Sequence, residues 1–194
     1  WHIRRQEVID EFVEIRRNPN HLEWAYFDVS RIHFSTDLNT VIDQSDLIVL
    51  AVPSPYLKQS LDDITVDMAQ KMVISAVKGM IPDENLLVTE YMHKYFHVPE
   101  ENLGVIAGPC HAEEIALERL SYLTVGCKDM EKAREWSQLF DTPYVRTTPS
   151  NDVEGLEYAS VMKNIYAIAA GICKSLHYGD NFQAVLLTNA MHEM

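Results

Sequence analysis

Asp46-Leu47-Ile48-Val49-Leu50-Ala51-Val52-Pro53-Ser54 is the stretch that decides the fold. A half-exposed strand would alternate apolar and polar residues. An unbroken apolar run closed by Pro-Ser reads instead as a strand buried on both faces, the signature of a parallel sheet under helices. Met72-Val73-Ile74-Ser75-Ala76-Val77-Lys78-Gly79 repeats the pattern, as does Leu103-Gly104-Val105-Ile106-Ala107-Gly108-Pro109. Tyr122–Cys127 and Tyr144–Thr148 are further strand candidates, the second at an edge, and Ile32-His33-Phe34 is a short one. Helix-length segments lie between them at 55–62, 83–97, 111–118 and 130–140. Upstream, Ile9, Phe12, Val13 and Ile15 mark a helix within 3–17 that ends near Asn18-Pro19-Asn20, and Asp37–Gln44 is helix-like. Alternating strands and helices predict a parallel sheet covered on both faces. From Asn151 onward the pattern is helical only, with Ser150 or Asn151 as cap and Glu154 placed for a capping box. The boundary falls at 149–152, dividing residues 1–150 from residues 151–194.

Composition narrows the function classes. With 47% hydrophobic and 23% charged residues in 194, the chain is an ordinary globular one. A net charge of -13 argues against nucleic-acid binding, which needs a clustered basic surface. Any anionic substrate must therefore be held by local cations against the overall field. Three scattered cysteines (Cys110, Cys127, Cys173) form no disulfide framework and read as a reducing, cytoplasmic compartment. No apolar run approaches the ~20 residues of a membrane span. The chain opens on Trp1 without a methionine and stops at Met194 in a helical pattern, so both ends read as truncated.

Ligands of open parallel sheets sit at the carboxyl ends of the strands. Lys78 at such an end can serve as a point charge for phosphate or carboxylate, although a lone lysine there is more commonly a solvated loop residue. Gly108-Pro109 before Cys110-His111-Ala112-Glu113-Glu114 reads as a tight turn opening a helix whose free N–H groups suit a phosphate; an ordinary strand-to-helix turn is the default. In Val161-Met162-Lys163-Asn164-Ile165-Tyr166-Ala167-Ile168-Ala169-Ala170-Gly171, Lys163 and Asn164 interrupt an apolar helix. An interior ammonium is costly unless paired or shifted in pKa, which makes Lys163 an acid/base candidate, with a surface lysine on an amphipathic helix as the alternative. Small neighbours (Ala159, Ser160, Ala167, Ala170, Gly171) leave room for a substrate. His93 and His97 are spaced for a metal but lack a third ligand, so no metal site is expected. Cys110-His111 with Glu113 resembles a thiol nucleophile only superficially, because adjacent residues rarely reach one atom.

In order, Ser75-Ala76-Val77-Lys78-Gly79, Gly108-Pro109-Cys110-His111-Ala112-Glu113-Glu114 and Glu154-Gly155-Leu156-Glu157 through Lys163-Asn164 to Gly171 resemble the NAD(P)-dependent glycerol-3-phosphate dehydrogenases of bacterial type. Trp1 with Arg4-Arg5, Asn18-Pro19-Asn20-His21-Leu22, Ala51-Val52-Pro53-Ser54, Gly179-Asp180-Asn181-Phe182-Gln183-Ala184 and Glu193-Met194 continue the likeness over essentially the whole chain. The resemblance implies a Rossmann-like parallel sheet lacking its first strand, as a partial dinucleotide-binding domain over 1–150. The start of an all-helical substrate domain follows over 151–194. It implies exchange of hydride between NAD or NADP and the pair sn-glycerol 3-phosphate and dihydroxyacetone phosphate, feeding phospholipid synthesis. Lys163 then matches the proton donor and acceptor, Asn164 stands beside it, and Lys78 lies near nicotinamide and substrate. Gly108 and Cys110 match substrate-side positions. Pro53 and Ala112 match cofactor contacts, as do Arg4 and Arg5, whose paired charge slightly favours NADPH. Partners are a small phosphorylated substrate and, through the helical segment, a second copy in a homodimer.

Three departures accompany the likeness. The glycine turn for the pyrophosphate would precede Trp1, Cys110 replaces a more usual Ser or Thr, and the spacing after Trp1 is one residue longer. A further Asp and an Arg-Asn pair would follow Met194, so residues 1–194 alone are expected to be inactive. Two other readings compete: a two-domain reductase of hydroxy or keto acids, and a non-catalytic binding module. The first lacks the paired Lys78-Gly79 and Lys163-Asn164 motifs; a glycine-rich turn upstream would exclude the second.

Overall fold

A computed structural model describes residues 1–194. The elements are α1 (Gln6–Ile15), α2 (Leu38–Asp43), β1 (Leu47–Leu50), α3 (Ser54–Leu61), β2 (Met72–Ser75), α4 (Val88–Phe96), β3 (Leu103–Ala107), α5 (Ala112–Ala116), β4 (Ser121–Cys127), α6 (Met130–Phe140), β5 (Val145–Ser150), α7 (Val153–Ser175) and α8 (Asp180–Glu193). One sheet runs in the order β1-β2-β3-β4-β5. The apolar runs behave as their composition demands: neighbouring Val73 and Ile74 point to opposite faces, and both are buried. Val73 joins a cluster with Leu50, Leu57, Ile81, Val88 and Met92, beneath α3 and α4. Ile74 joins Val125, Cys127, Ala133 and Trp136 beneath α6. Val49 departs from the expectation and is 45% exposed, lining the open groove beside β1.

The sheet is mixed rather than wholly parallel. β1, β2 and β3 are parallel, β4 runs antiparallel to β3, and β5 runs parallel to β4. The little helix in the connection at residues 108–120 accounts for the reversal. A parallel return needs a crossover of a dozen or more residues that spans the sheet, usually on a full helix. Between β3 and β4 the only helix is α5, five residues long and worth roughly 7 Å of rise, so β4 starts at the end where β3 finishes. The eleven-residue α6 is long enough to carry β5 back parallel to β4.

At the amino end, Ile32–Phe34 forms no strand. Pairing is limited to a His2–Ser35 bridge, with Ile3 N–H donating to Ser35 O (3.0 Å) and Ser35 N–H to Trp1 O (3.1 Å), since the chain turns into α1 directly afterwards. Trp1, Phe12, Phe27 and Phe34 pack as an aromatic cluster with ring centroids 5.0–6.2 Å apart, which fixes α1 against this segment. The cap of α7 also differs from expectation. Ser150 is still in β5, and Asp152 takes the role, its carboxylate accepting from Gly155 N–H at 2.9 Å.

Two glycines allow the close layers. A Cβ on Gly104 would stand 2.6 Å from Gly126 O and 2.5 Å from the Trp136 indole; one on Gly126 would stand 2.7 Å from the Leu156 side chain. Gly104→Ala is expected to lower stability by about 1–3 kcal/mol through overpacking against a backbone oxygen that cannot move aside. Urea unfolding checks this, and an unchanged midpoint would contradict the packing described.

Candidate active site

Strand register brings the sequence motifs to one level. Leu50 pairs with Ser75, and Ser75 pairs with Val105. Three residues beyond these partners the chain reaches Pro53, Lys78 and Gly108, each in the turn that follows its strand at the carboxyl edge. The adjoining turns interlock. Gly79 lies under Ser54 so closely that any Cβ would collide with its hydroxyl. Gly108 has φ 152° and sits where a Cβ would be 2.7 Å from Tyr122 O, so both its conformation and its surroundings require glycine. Cys110 Sγ donates to the same carbonyl at 3.1 Å, which occupies the thiol and leaves it no partnership with the exposed His111.

α7 carries Lys163 in the direction of this edge. Glu154 pairs with Lys128 (3.4 Å), and Lys128 pairs with Glu100 (2.9 Å), which anchors the start of α7 at the amino end of β3. Leu156 then packs over Gly126, itself opposite Val105 in the middle of β3. Lys163 follows two turns later, roughly 10 Å along the axis. Because β3 ends two residues past Val105, roughly 7 Å on, the lysine comes level with or just beyond its carboxyl end. Lys163 is half-buried rather than interior, Asn164 beside it is exposed, and Lys78 is exposed. Both lysines are free of ion pairs in a chain of net charge -13.

A groove of about 660 Å³ continues from this edge between Trp1–Arg4 and β1, lined by Ile48, Val49, Ala51 and Val52 among others. Its apolar wall and the Arg4 guanidinium at its rim fit the adenosine end of a dinucleotide. Arg5 lies outside it, 3.7 Å from Glu7. The exposed Pro53 stands at the start of α3. The α5 amino end does not fit a pyrophosphate: the helix is a short turn whose first residues include Glu113 and Glu114. Ala112 heads that helix and is exposed. The groove beside β1 thus suits the adenosine end of NAD(P), whereas the α5 amino end does not suit its pyrophosphate. His93 Nδ1 is engaged at 2.9 Å by Val98 O, and no cluster of three His, Cys, Asp or Glu side chains converges anywhere.

Comparison with known proteins decides the family. The description NAD-dependent glycerol-3-phosphate dehydrogenase N-terminus fits residues 1–133, and the matching C-terminus description fits residues 152–194. The chain belongs to the NAD-dependent glycerol-3-phosphate dehydrogenase family. Curated members named glycerol-3-phosphate dehydrogenase [NAD(P)+] include those of Bacillus subtilis (32% identical, 98% of this chain, 55% of the relative) and Salinibacter ruber (33%, 98% and 56%). The chain therefore spans about half the length of these dehydrogenases. Among solved structures, the glycerol-3-phosphate dehydrogenase of Plasmodium falciparum superposes with a TM-score of 0.87 at 26% identity, covering 100% of this chain and 54% of that one. The Coxiella burnetii dehydrogenase shares the fold, with a TM-score of 0.82 at 22% identity over 98% of this chain and 57% of that one.

One ionisable group escaped the sequence reading. Glu157, 4% exposed, accepts a short hydrogen bond from Thr89 Oγ1 and a longer one from Thr89 N–H at 3.4 Å. Burial pushes its carboxyl up from 4.5 to about 7, overcoming the opposing effect of the Thr89 hydrogen bonds. The available signal was a charged residue in line with Val153 and Ser160, the buried stripe of α7. With a folded pKa above the unfolded one, Glu157 contributes stability that is complete below 4.5 and lost as pH rises through about 7. The loss is on the order of 3 kcal/mol, at ~1.4 kcal/mol per pH unit. Thermal unfolding of the native protein and Glu157→Gln between about pH 5 and 8.5 tests this. The native protein should lose ground against the variant as pH rises, whereas a constant difference would contradict it.

Proposed function

We propose that the whole protein containing this chain interconverts sn-glycerol 3-phosphate and dihydroxyacetone phosphate with NAD(P), in the cytoplasm, and supplies glycerol 3-phosphate for phospholipid synthesis. The observation that supports this reading most is the pairing of Ser75 with Val105, after which the two strands lead to Lys78 and Gly108, with α7 carrying Lys163 in the same direction. The nicotinamide cofactor, when bound, supplies or takes the hydride. Arg4 and the apolar wall beside β1 hold its adenosine end, and the arginine's charge tilts the preference toward NADPH.

Lys78 and Lys163 supply the cationic field that a phosphorylated anion needs in a chain of net charge -13. Alkoxide character develops on the substrate oxygen as its carbon loses or gains hydride. A lysine at that oxygen takes the hydroxyl proton in one direction and returns it in the other. Lys163 has this role, and the Asn164 amide orients the substrate by hydrogen bonding. Gly108 leaves space for the substrate to approach backbone, and Cys110 lies on the substrate side with its thiol turned to Tyr122 O. A second copy of the protein is the expected partner, in a homodimer.

The test is dihydroxyacetone-phosphate-dependent NAD(P)H oxidation by the full-length protein. Lys163→Ala is expected to lower kcat by about 10²–10⁴-fold with cofactor binding retained. Lys78→Ala is expected chiefly to raise KM for the phosphorylated substrate. Unimpaired turnover in Lys163→Ala would remove that lysine as the acid/base.

A further inference from the structure

The two lysine-bearing segments are joined by a buried polar contact. From Lys78 the chain enters a compact turn closed by the Ile81–Leu86 bridge, with Ile81 N–H donating to Leu86 O at 2.9 Å. Ile81 and Leu87 are fully buried, so this turn is fixed to the core. It leads directly into α4, where Leu87 N–H donates to the Glu90 carboxylate at 2.8 Å and Thr89 meets Glu157. From Glu157, α7 continues for six residues to Lys163. After Ser160 no residue of α7 is fully buried, so Glu157 lies in the last stretch where the sheet domain grips the helix.

We propose that Glu157 is a positioning residue: clasped to the amino end of α4 through Thr89, it sets how α7 presents Lys163 and Asn164 to the Lys78 edge. Apolar contacts such as Leu156 over Gly126 hold the helix down but allow it to rotate or slide. A carboxylate bonded to one hydroxyl and one backbone N–H has a single orientation. The contact also lies deep enough to matter, since a buried polar group left without its partner costs more than an exposed one.

The clasp is ionisable in the working pH range. Burial holds Glu157 at about 7, and Glu90 of α4 adds to the upward push. The neighbouring cavity of about 220 Å³ is lined by Glu90, His93 and Lys94 of α4, with Glu100, Lys128 and Glu154 around it. Lys128 is already committed to Glu100 and Glu154, which leaves Glu157 without a cationic partner of its own. Above pH 7 the Thr89 hydrogen bonds to the ionised carboxylate strengthen but do not offset its desolvation, so the buried arrangement is destabilised and the clasp opens more readily.

This proposal rests on the dehydrogenase reading, so two measurements separate them. In full-length enzyme, Glu157→Ala and Thr89→Val should each lower kcat about tenfold or more, with KM for NAD(P)H within about twofold. Glu157→Gln keeps an acceptor for Thr89 and should recover most of kcat near pH 6. It should also lack the decline that separates the native enzyme from it between pH 6 and 8.5. Native and Gln profiles that keep a constant ratio across this range would overturn the proposal, as would full kcat in Glu157→Ala. Backbone hydrogen exchange over residues 153–165 needs no substrate. At each pH above 7 the native protein should exchange faster than Glu157→Gln, and equal protection would overturn the clasp. Absence of turnover in a folded native enzyme would refute the dehydrogenase reading alone, since the exchange comparison judges the clasp by itself.

Discussion

The antiparallel pairing of β4 on β3 is the constraint from which the rest of the arrangement follows. Had β4 returned parallel, β5 would end at the carboxyl edge and α7 would start there, leading away from the motifs. Because β4 reverses and β5 follows it, α7 starts at the opposite end, held by the Glu154–Lys128–Glu100 chain of charges. The helix must then cross the depth of the sheet, and its 23 residues outrun a five-residue strand. Lys163 lies where the helix clears the sheet. The short α5 is thus a cause of the site's geometry as well as a connection between strands.

Close packing makes that crossing possible. Gly126 lets Leu156 settle onto β4, and Gly104 lets Trp136 settle onto β3 from α6. Small residues in the sheet act as seats for large residues on the helices, a complementarity that fixes each helix more firmly than burial of an equal area on a flat surface would. The exposed ion pairs contribute little by comparison. Lys58 with Glu84, to which Tyr95 also donates at 2.8 Å, ties α3 to the turn before α4 and helps set the segment that follows Lys78.

Much of this was legible in the sequence because apolar runs and their terminating residues are local signals. Asp46–Ser54 and Met72–Gly79 give strands whose carboxyl ends carry Pro53 and Lys78 as read. Strand direction was not legible: Ser121–Cys127 is apolar enough for either sense, and the deciding quantity was the length of helix in the preceding loop. Ile32–Phe34 has strand composition but faces a partner segment too short to build a ladder. The Gly108–Ala112 turn opens only a five-residue helix with Glu113 and Glu114 in its first turn, a length and charge that the turn's own residues did not signal. Glu157 was visible only as part of a motif, since its importance depends on Thr89, 68 residues away. Lys163 was expected in the interior and is half-buried; its placement comes from the path of α7.

The central claim is that the Lys78 edge and Lys163 together serve hydride exchange on a three-carbon phosphate ester. The most direct measurement incubates full-length protein with dihydroxyacetone phosphate and NADPH or NADH deuterated at the reactive C4 position, then reads the product by NMR. The account predicts sn-glycerol 3-phosphate carrying deuterium at C2. Product without deuterium at that carbon, or deuterium delivered only to a keto acid offered in competition, would contradict it.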